Sequence, residues 1–219
     1  GDCEEEDDGC DKVYAVGASS PGSPGTSPDI VYSLNVNGVR TWFSRDINTI
    51  AVGDEANGVA QVGEYIAVVS DDEGSIHWIL KSELDQTPTD PFTETTTGFV
   101  GANFPVDITS VGNFAFIVGL NGYVYSTDDP TGGVTVLDAG VATSDNLHMV
   151  KALNDQFAVA VGANAAIIIT ENQSSWSALT GPSGVADGFT AIALKNEKEF
   201  LIGTDAGEMY LSLIHISEP

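Results

Sequence analysis

Short apolar runs alternate with brief polar turns along this chain, and the order in which they occur repeats. The clearest copy has runs at residues 106–111, 112–119 and 121–127, each closed by a turn containing Gly or Asn. The same triplet recurs at residues 147–153, 156–162 and 166–170, and at 189–194, 199–203 and 207–210. Upstream it occurs at residues 58–62, 65–70 and 74–80, and in looser form at 13–17 and 30–33. The runs are rich in Val, Ile, Phe and Tyr and lack a helical period with caps, so they predict strands. From the end of one middle run to the next, Ser70 to Gly119 is 49 residues, Gly119 to Gly162 is 43 and Gly162 to Gly203 is 41.

Periods in the forties, with three or four strands each, predict an all-β fold: a β-propeller of five blade-like repeats. The middle runs are centred on residues 13–16, 65–69, 114–118, 157–161 and 200–202. They are continuously apolar, as expected where a sheet is packed on both faces, so these strands are predicted to be the most buried. Residues 41–44, 92–95, 134–137 and 176–179 are predicted to be outer strands. The Pro/Gly/Ser stretch 19–28 and residues 85–91 read as loops because strand runs flank them.

Composition narrows the function classes. The 219 residues hold 32 Asp+Glu against 7 Lys+Arg, a net charge of −25, and 42% are hydrophobic. Such a polyanion repels phosphate backbones and anionic lipid, which argues against nucleic-acid partners. No apolar run approaches the ~20 residues of a membrane-crossing helix. The chain divides into an acidic segment 1–12 with Cys3 and Cys10, repeats over 13–210, and a tail 211–219. That tail, Leu-Ser-Leu-Ile-His-Ile-Ser-Glu-Pro, resembles the translation of a transposon-based sequencing adapter. The likeness implies a metagenomic source and a propeller truncated at its C-terminal side, with Met209 and Tyr210 packed and 215–219 exposed.

The repeats resemble the BNR/Asp-box and photosystem II assembly factor-like propellers. The likeness is carried by a strand ending in Val-Gly, a turn, a strand ending in Ser or Thr, an Asp/Asn turn and a Trp. It runs from Ala160 through Gly162 and Thr170 to Trp176, and again from Val31 through Ser33 to Trp42. A copy from Val124 to Val134 has Val in place of Trp. The resemblance implies a folding box rather than an active site. A looser likeness to virion-associated propellers of tailed phages implies a virion or extracellular surface location.

Candidate chemistry is sparse. Trp42 and Trp176 read as aromatics that pack outer strands and close a blade. Trp78 falls outside that position. Cys3 and Cys10 form a disulfide candidate, since the acidic, Gly-containing segment between them suits a turn. The carboxylates of Asp71, Asp72 and Glu73 are the metal candidates, with calcium the cation that clustered carboxylates suit. Arg40 and Arg45 are the only arginines, so the three-arginine site that the sialidase resemblance implies cannot be assembled. His77 and His148 lie in different repeats without a partner at metal-ligand spacing. No catalytic residue and no cofactor is assigned. The reading is a non-enzymatic scaffold for assembly or surface interaction, with a protein or glycan partner. The alternative is a carbohydrate-binding or glycoside-active propeller with two facing carboxylates.

Overall fold

The computed structural model describes residues 13–17, 28–36, 39–51, 54–71, 74–84, 91–101, 103–182, 185 and 188–213. They form five antiparallel sheets in chain order. Sheet 1 holds β1 (Tyr14–Val16), β2 (Asp29–Val36) and β3 (Val39–Asp46). Sheet 2 holds β4 (Ala56–Val62), β5 (Tyr65–Ser70), β6 (Ile76–Leu80) and β7 (Thr93–Thr95). In sheet 3 are β8 (Pro105–Val111), β9 (Phe114–Gly119), β10 (Tyr123–Thr127) and β11 (Thr135–Ala139). Sheet 4 has β12 (Leu147–Ala152), β13 (Ala158–Gly162), β14 (Ile167–Thr170) and β15 (Trp176–Ala178). Sheet 5 consists of β16 (Phe189–Asn196), β17 (Glu199–Thr204) and β18 (Met209–Leu213). Helix among the described residues is limited to α1 (Lys81–Leu84) and the 3-10 turns Leu120–Gly122, Pro130–Gly132 and Ala163–Ala165.

Each sheet is a meander, so neighbours in sequence are neighbours in hydrogen bonding. Successive sheets meet through their first strands: β1 on β4, β4 on β8, β8 on β12, and β12 on β16. This radial order, first strands innermost, makes an arc of β-propeller blades. No comparable packing joins β16 to β1 among the described residues.

The apolar runs are explained by four cores, one between each pair of sheets. In β5, Ile66 and Val68 face sheet 1 while Ala67 and Val69 face sheet 3. In β9, Ala115 and Ile117 face sheet 2 while Phe116 and Val118 face sheet 4. In β13, Ala158 and Ala160 face back and Val159 and Val161 face forward. A strand covered on both faces cannot alternate apolar with polar, and a lone sheet could not bury both faces. At ~25 cal/mol per Å² of apolar surface removed from water, these cores dominate the stability of the arc.

Three expectations for the terminal sheets fail. Residues 13–16 are not a buried middle strand. β1 lies at the edge of sheet 1, bonded to β2 alone among the described strands, and Val13 is 46% exposed. β17 alternates instead of being wholly buried, with Phe200 and Ile202 in the core and Leu201 40% exposed. In β18, Tyr210 packs on the core as expected, but Met209 is 72% exposed because it points off the uncovered face. Residues 214–219 lie outside the described residues.

Candidate functional site

One face of the arc carries the turns between second and third strands together with the loops that lead into each new first strand. In sheets 3 and 4 these turns are the 3-10 segments Leu120–Gly122 and Ala163–Ala165. Asn121 and Asn164 occupy equivalent places in them with φ of 55° and 51°. Asn tolerates this left-handed region because its short polar side chain bonds locally. Asn121 Nδ2 donates to Asn103 Oδ1 at 2.7 Å, and Asn164 Nδ2 donates to Asp145 Oδ1 at 2.7 Å. Asn103 and Asp145 each lie two residues before a first strand, β8 and β12. Forward coupling is added by the backbone N–H of Asn121, which donates to Asn146 Oδ1 at 3.0 Å. Gly122 has φ of 73°, and a Cβ there would overlap the Thr143 carbonyl oxygen. The close approach of turn and loop therefore requires glycine.

Below this face, the first strands share a defect. The pairing skips one residue in β4, β8, β12 and β16, leaving Asn57, Val106, His148 and Thr190 as the bulged positions. A bulge re-aims its side chain. Asn57 Nδ2 donates to the Pro105 carbonyl oxygen at 3.1 Å, and His148 Nδ1 lies 3.0 Å from the Phe189 carbonyl oxygen. A carbonyl only accepts, so Nδ1 of His148 carries the hydrogen. Pro105 and Phe189 are the first residues of β8 and β16, so each bulged side chain reaches into the next sheet.

Asp107 makes a second tie across the inner strands, its Oδ2 accepting from the Val150 N–H at 3.0 Å. Burial pushes the Asp107 carboxyl above the ordinary carboxylate range, opposed by that hydrogen bond and by the Lys151 charge. Burial likewise pushes the Tyr125 hydroxyl up to about 12, and it donates to the Asn103 carbonyl oxygen at 3.1 Å.

The residues singled out by sequence are scattered. Asp71 Oδ1 accepts from the Glu55 N–H at 2.7 Å and so fastens a loop. Asp72 and Glu73 lie outside the described residues, as do Cys3 and Cys10. Among the described residues no group of three or more His, Cys, Asp or Glu is arranged to hold a metal. Trp176 is buried and stands edge-on to Phe116, ring centroids 5.7 Å apart. Trp42 does not pack this way: it is 55% exposed, and among the described residues no sheet covers its side of sheet 1. Trp78 is half-buried against Tyr65 and donates from Nε1 to Thr95 Oγ1 at 3.1 Å. His77 is fully buried, Nε2 to Ser70 Oγ at 2.9 Å and Nδ1 to Thr49 Oγ1 at 2.8 Å.

Asp29 and Asp46 sit directly opposite in the β2–β3 register. Desolvation, then a hydrogen bond and charge from Asp46, pushes Asp29 up to about 6. Two carboxyls sharing a hydrogen bond are closer than the ~5–9.5 Å that glycoside hydrolysis uses. The Asn pair and the bulge ties were missed in the sequence. Gly119-Leu-Asn121 and Gly162-Ala-Asn164 are a repeated Gly-x-Asn signal for the first. The second left none.

No protein-family model matches the chain, and no curated protein does. Solved structures place it in the β-propeller class. It is similar to the WD40 β-propeller domain of Doa1, with a TM-score of 0.65 and 13% identity. That match covers 94% of this chain and 63% of the Doa1 chain, so the chain spans less than two thirds of that propeller. It is also similar to a structure in the nidogen–laminin complex, with a TM-score of 0.56 and 11% identity, covering 90% of this chain and 77% of that one. YCF48 bound to D1 peptide superposes with a TM-score of 0.45 at 14% identity, covering 93% and 75%. Identities this low define the fold alone.

Proposed function

We propose that the chain is a non-enzymatic β-propeller scaffold for assembly or surface interaction, and that its loop face is the docking surface. The observation that carries this reading is the locked state of that face. Across turns and loops, Asn121 is hydrogen-bonded to Asn103 and Asn146, and Asn164 to Asp145. A partner meeting such a surface orders few side chains, which lowers the cost of association. Val141, 86% exposed in the loop between β11 and β12, gives the face an apolar contact. The complex of nidogen with laminin suits a protein partner. The Asp-box likeness and the looser virion likeness support a structural or decoration role on a virion or extracellular surface.

The test places a photo-crosslinking residue at Val141 and, as control, at Asp155, an exposed residue in the turn between β12 and β13 on the opposite face. Capture of one discrete protein through position 141 and not 155, with binding of the purified partner reproduced, supports the reading. Glycan-array binding lost on substitution of Asn121 and Asn164, or turnover of aryl glycosides, overturns it in favour of the carbohydrate reading.

A further inference from the structure

A polar residue interrupts the buried face that sheet 3 turns toward sheet 4. Along β10, Val124 packs in that core, and Ser126 follows it on the same face. Ser126 is paired with Phe116 in the register, as Trp78 is with Ala67 in sheet 2 and Ile169 with Val159 in sheet 4. The two large side chains fill their places. Trp78 stands edge-on to Tyr65, ring centroids 5.3 Å apart, and Ile169 shares a core with Phe157. Serine is too small to do the same. Phe114, which stands where Tyr65 and Phe157 do, is left half-buried, and a pocket of about 290 Å³ opens beside it. This is where β9 begins and β10 ends, at the opposite end of sheet 3 from the loop face.

The lining of the pocket is uneven in character. Phe114 and Val134 supply apolar wall, buried Ser126 lies deepest, and exposed Asp128 and Asp129 stand at the mouth. Ser126 is 6% exposed, and its hydroxyl has no hydrogen-bond partner among the described residues. The hydroxyl is not sealed in, so it opens into the pocket that Ser126 lines. A hydroxyl withdrawn from water without a partner is destabilising, and a ligand that bonds it recovers that cost. The neighbouring polar groups are already engaged. Thr127 Oγ1 accepts from the Asp129 N–H at 3.2 Å, and Asp129 Oδ1 accepts from the Thr131 N–H at 2.9 Å. Neither Asp128 nor Asp129 makes an ion pair among the described residues.

We propose that this pocket binds a small organic cation, an ammonium group on an aliphatic stem. The stem lies against Phe114 and Val134, and the ammonium meets the Ser126 hydroxyl and the two carboxylates. An ammonium has three freely rotating donors, which suits one hydroxyl and separate carboxylates better than the fixed fork of a guanidinium does. An aromatic ring beside the cation adds attraction of its own. A calcium ion needs six to eight oxygens around it, and the apolar half of this lining offers none. The site is separate from the loop face, so it stands whether or not that face docks a partner. A ligand of five heavy atoms binds weakly, with an expected dissociation constant of about 1 mM.

The experiment titrates n-butylammonium chloride into the isotopically labelled full chain at constant ionic strength and follows the backbone amides by NMR. Saturable shifts are expected at residues 126–129 and 132–135, with smaller ones elsewhere. Ser126→Ile, which restores the side chain of the equivalent place in sheet 4, is expected to weaken binding at least tenfold and to melt no earlier than the unsubstituted chain. Asp128→Asn is expected to weaken it several-fold, and Asp155→Asn, at an exposed acid outside the lining, to leave it unchanged. Nα-acetyl-lysine methylamide carries the same ammonium and stem. Tighter binding of it than of butylammonium supports the proposal with a protein's lysine side chain as the source, and weaker binding supports it with a free amine. Shifts that grow without saturation across the acidic surface, or that survive Ser126→Ile, overturn the proposal in favour of a counterion cloud. Saturation by calcium chloride at these amides without any by butylammonium overturns it in favour of a metal. Should Ser126→Ile lose its cooperative melt, Asp128→Asn, at an exposed position, carries the same test.

Discussion

Asn57 and Pro105 belong to different sheets, yet the Asn57 amide donates to the Pro105 carbonyl oxygen at 3.1 Å. His148 and Phe189 repeat the relationship two sheets later at 3.0 Å. In both cases the donor is a bulged residue in a first strand and the acceptor opens the next first strand. Asn57→Ala removes the donor and leaves a half-buried carbonyl without it. The expected loss is about 1–2 kcal/mol in chemical denaturation, with an unchanged m-value. His148→Ala should lose a similar amount, and His148→Asn, which keeps a donor, less.

The Asp29–Asp46 pair sets a pH dependence. Asp29 is raised from 3.8 to about 6, so between those values the folded state holds more of the proton than the unfolded state does. Stability contributed by the protonated form is present at low pH and is lost as pH rises through about 6. Asp29 is exposed, so solvent screening keeps the effect below about 1 kcal/mol. Asp29→Asn should therefore raise the melting midpoint at pH 7.5 and leave it unchanged at pH 3.5. Buried Asp107 acts in the same direction.

Trp176 is buried against Phe116, but its indole N–H has no hydrogen-bond partner. Trp176→Phe gives up some packing and relieves the unmatched donor, so the expected change is under about 1 kcal/mol. Trp176→Ala opens a cavity between sheets 3 and 4 and should cost about 3–5 kcal/mol. Equal losses for the two variants in thermal or urea melts would contradict this account.

Ala165 has φ of 58°, a strained conformation for a residue with a Cβ, where the equivalent turn in sheet 3 uses Gly122. The left-handed conformation costs Ala about 1–2 kcal/mol, and the greater chain entropy of glycine returns about 0.5–1 of that. Ala165→Gly is expected to stabilise the protein by roughly 0.5 kcal/mol. Gly122→Ala must strain the turn and displace the Thr143 carbonyl, for an expected loss of about 3 kcal/mol or more. The two midpoints shift in opposite directions in one melting experiment.

The interior sheets were legible because their burial is two-sided. Phe116 and Ile117 point to opposite cores, so β9 writes itself as an unbroken apolar run. Residues 13–16 have a similar composition but lie at an open end, and nothing in the local sequence records which neighbours a strand lacks. Trp42 misled for the same reason: its spacing matches Trp176, but no sheet of the described residues lies against it. The ties on the loop face were hidden by distance. Asn121 and Asn103 are 18 residues apart and His148 and Phe189 41, and the bulges that aim two of these side chains have no compositional mark.

Each sheet is a single unbroken stretch of chain, and its main contacts are with the sheets beside it. Pulled from its two ends, the molecule carries force through these sheets in series. The two outermost sheets, each covered on one face only by the described residues, are held least firmly. Under load the arc should therefore shorten from its ends inward, shedding one sheet at a time. Each event releases a contour length of about 14 nm, the extended length of roughly 40 residues. An optical-trap trace of this protein should read as a ladder, its last and strongest rung being the sheet that contains Phe116.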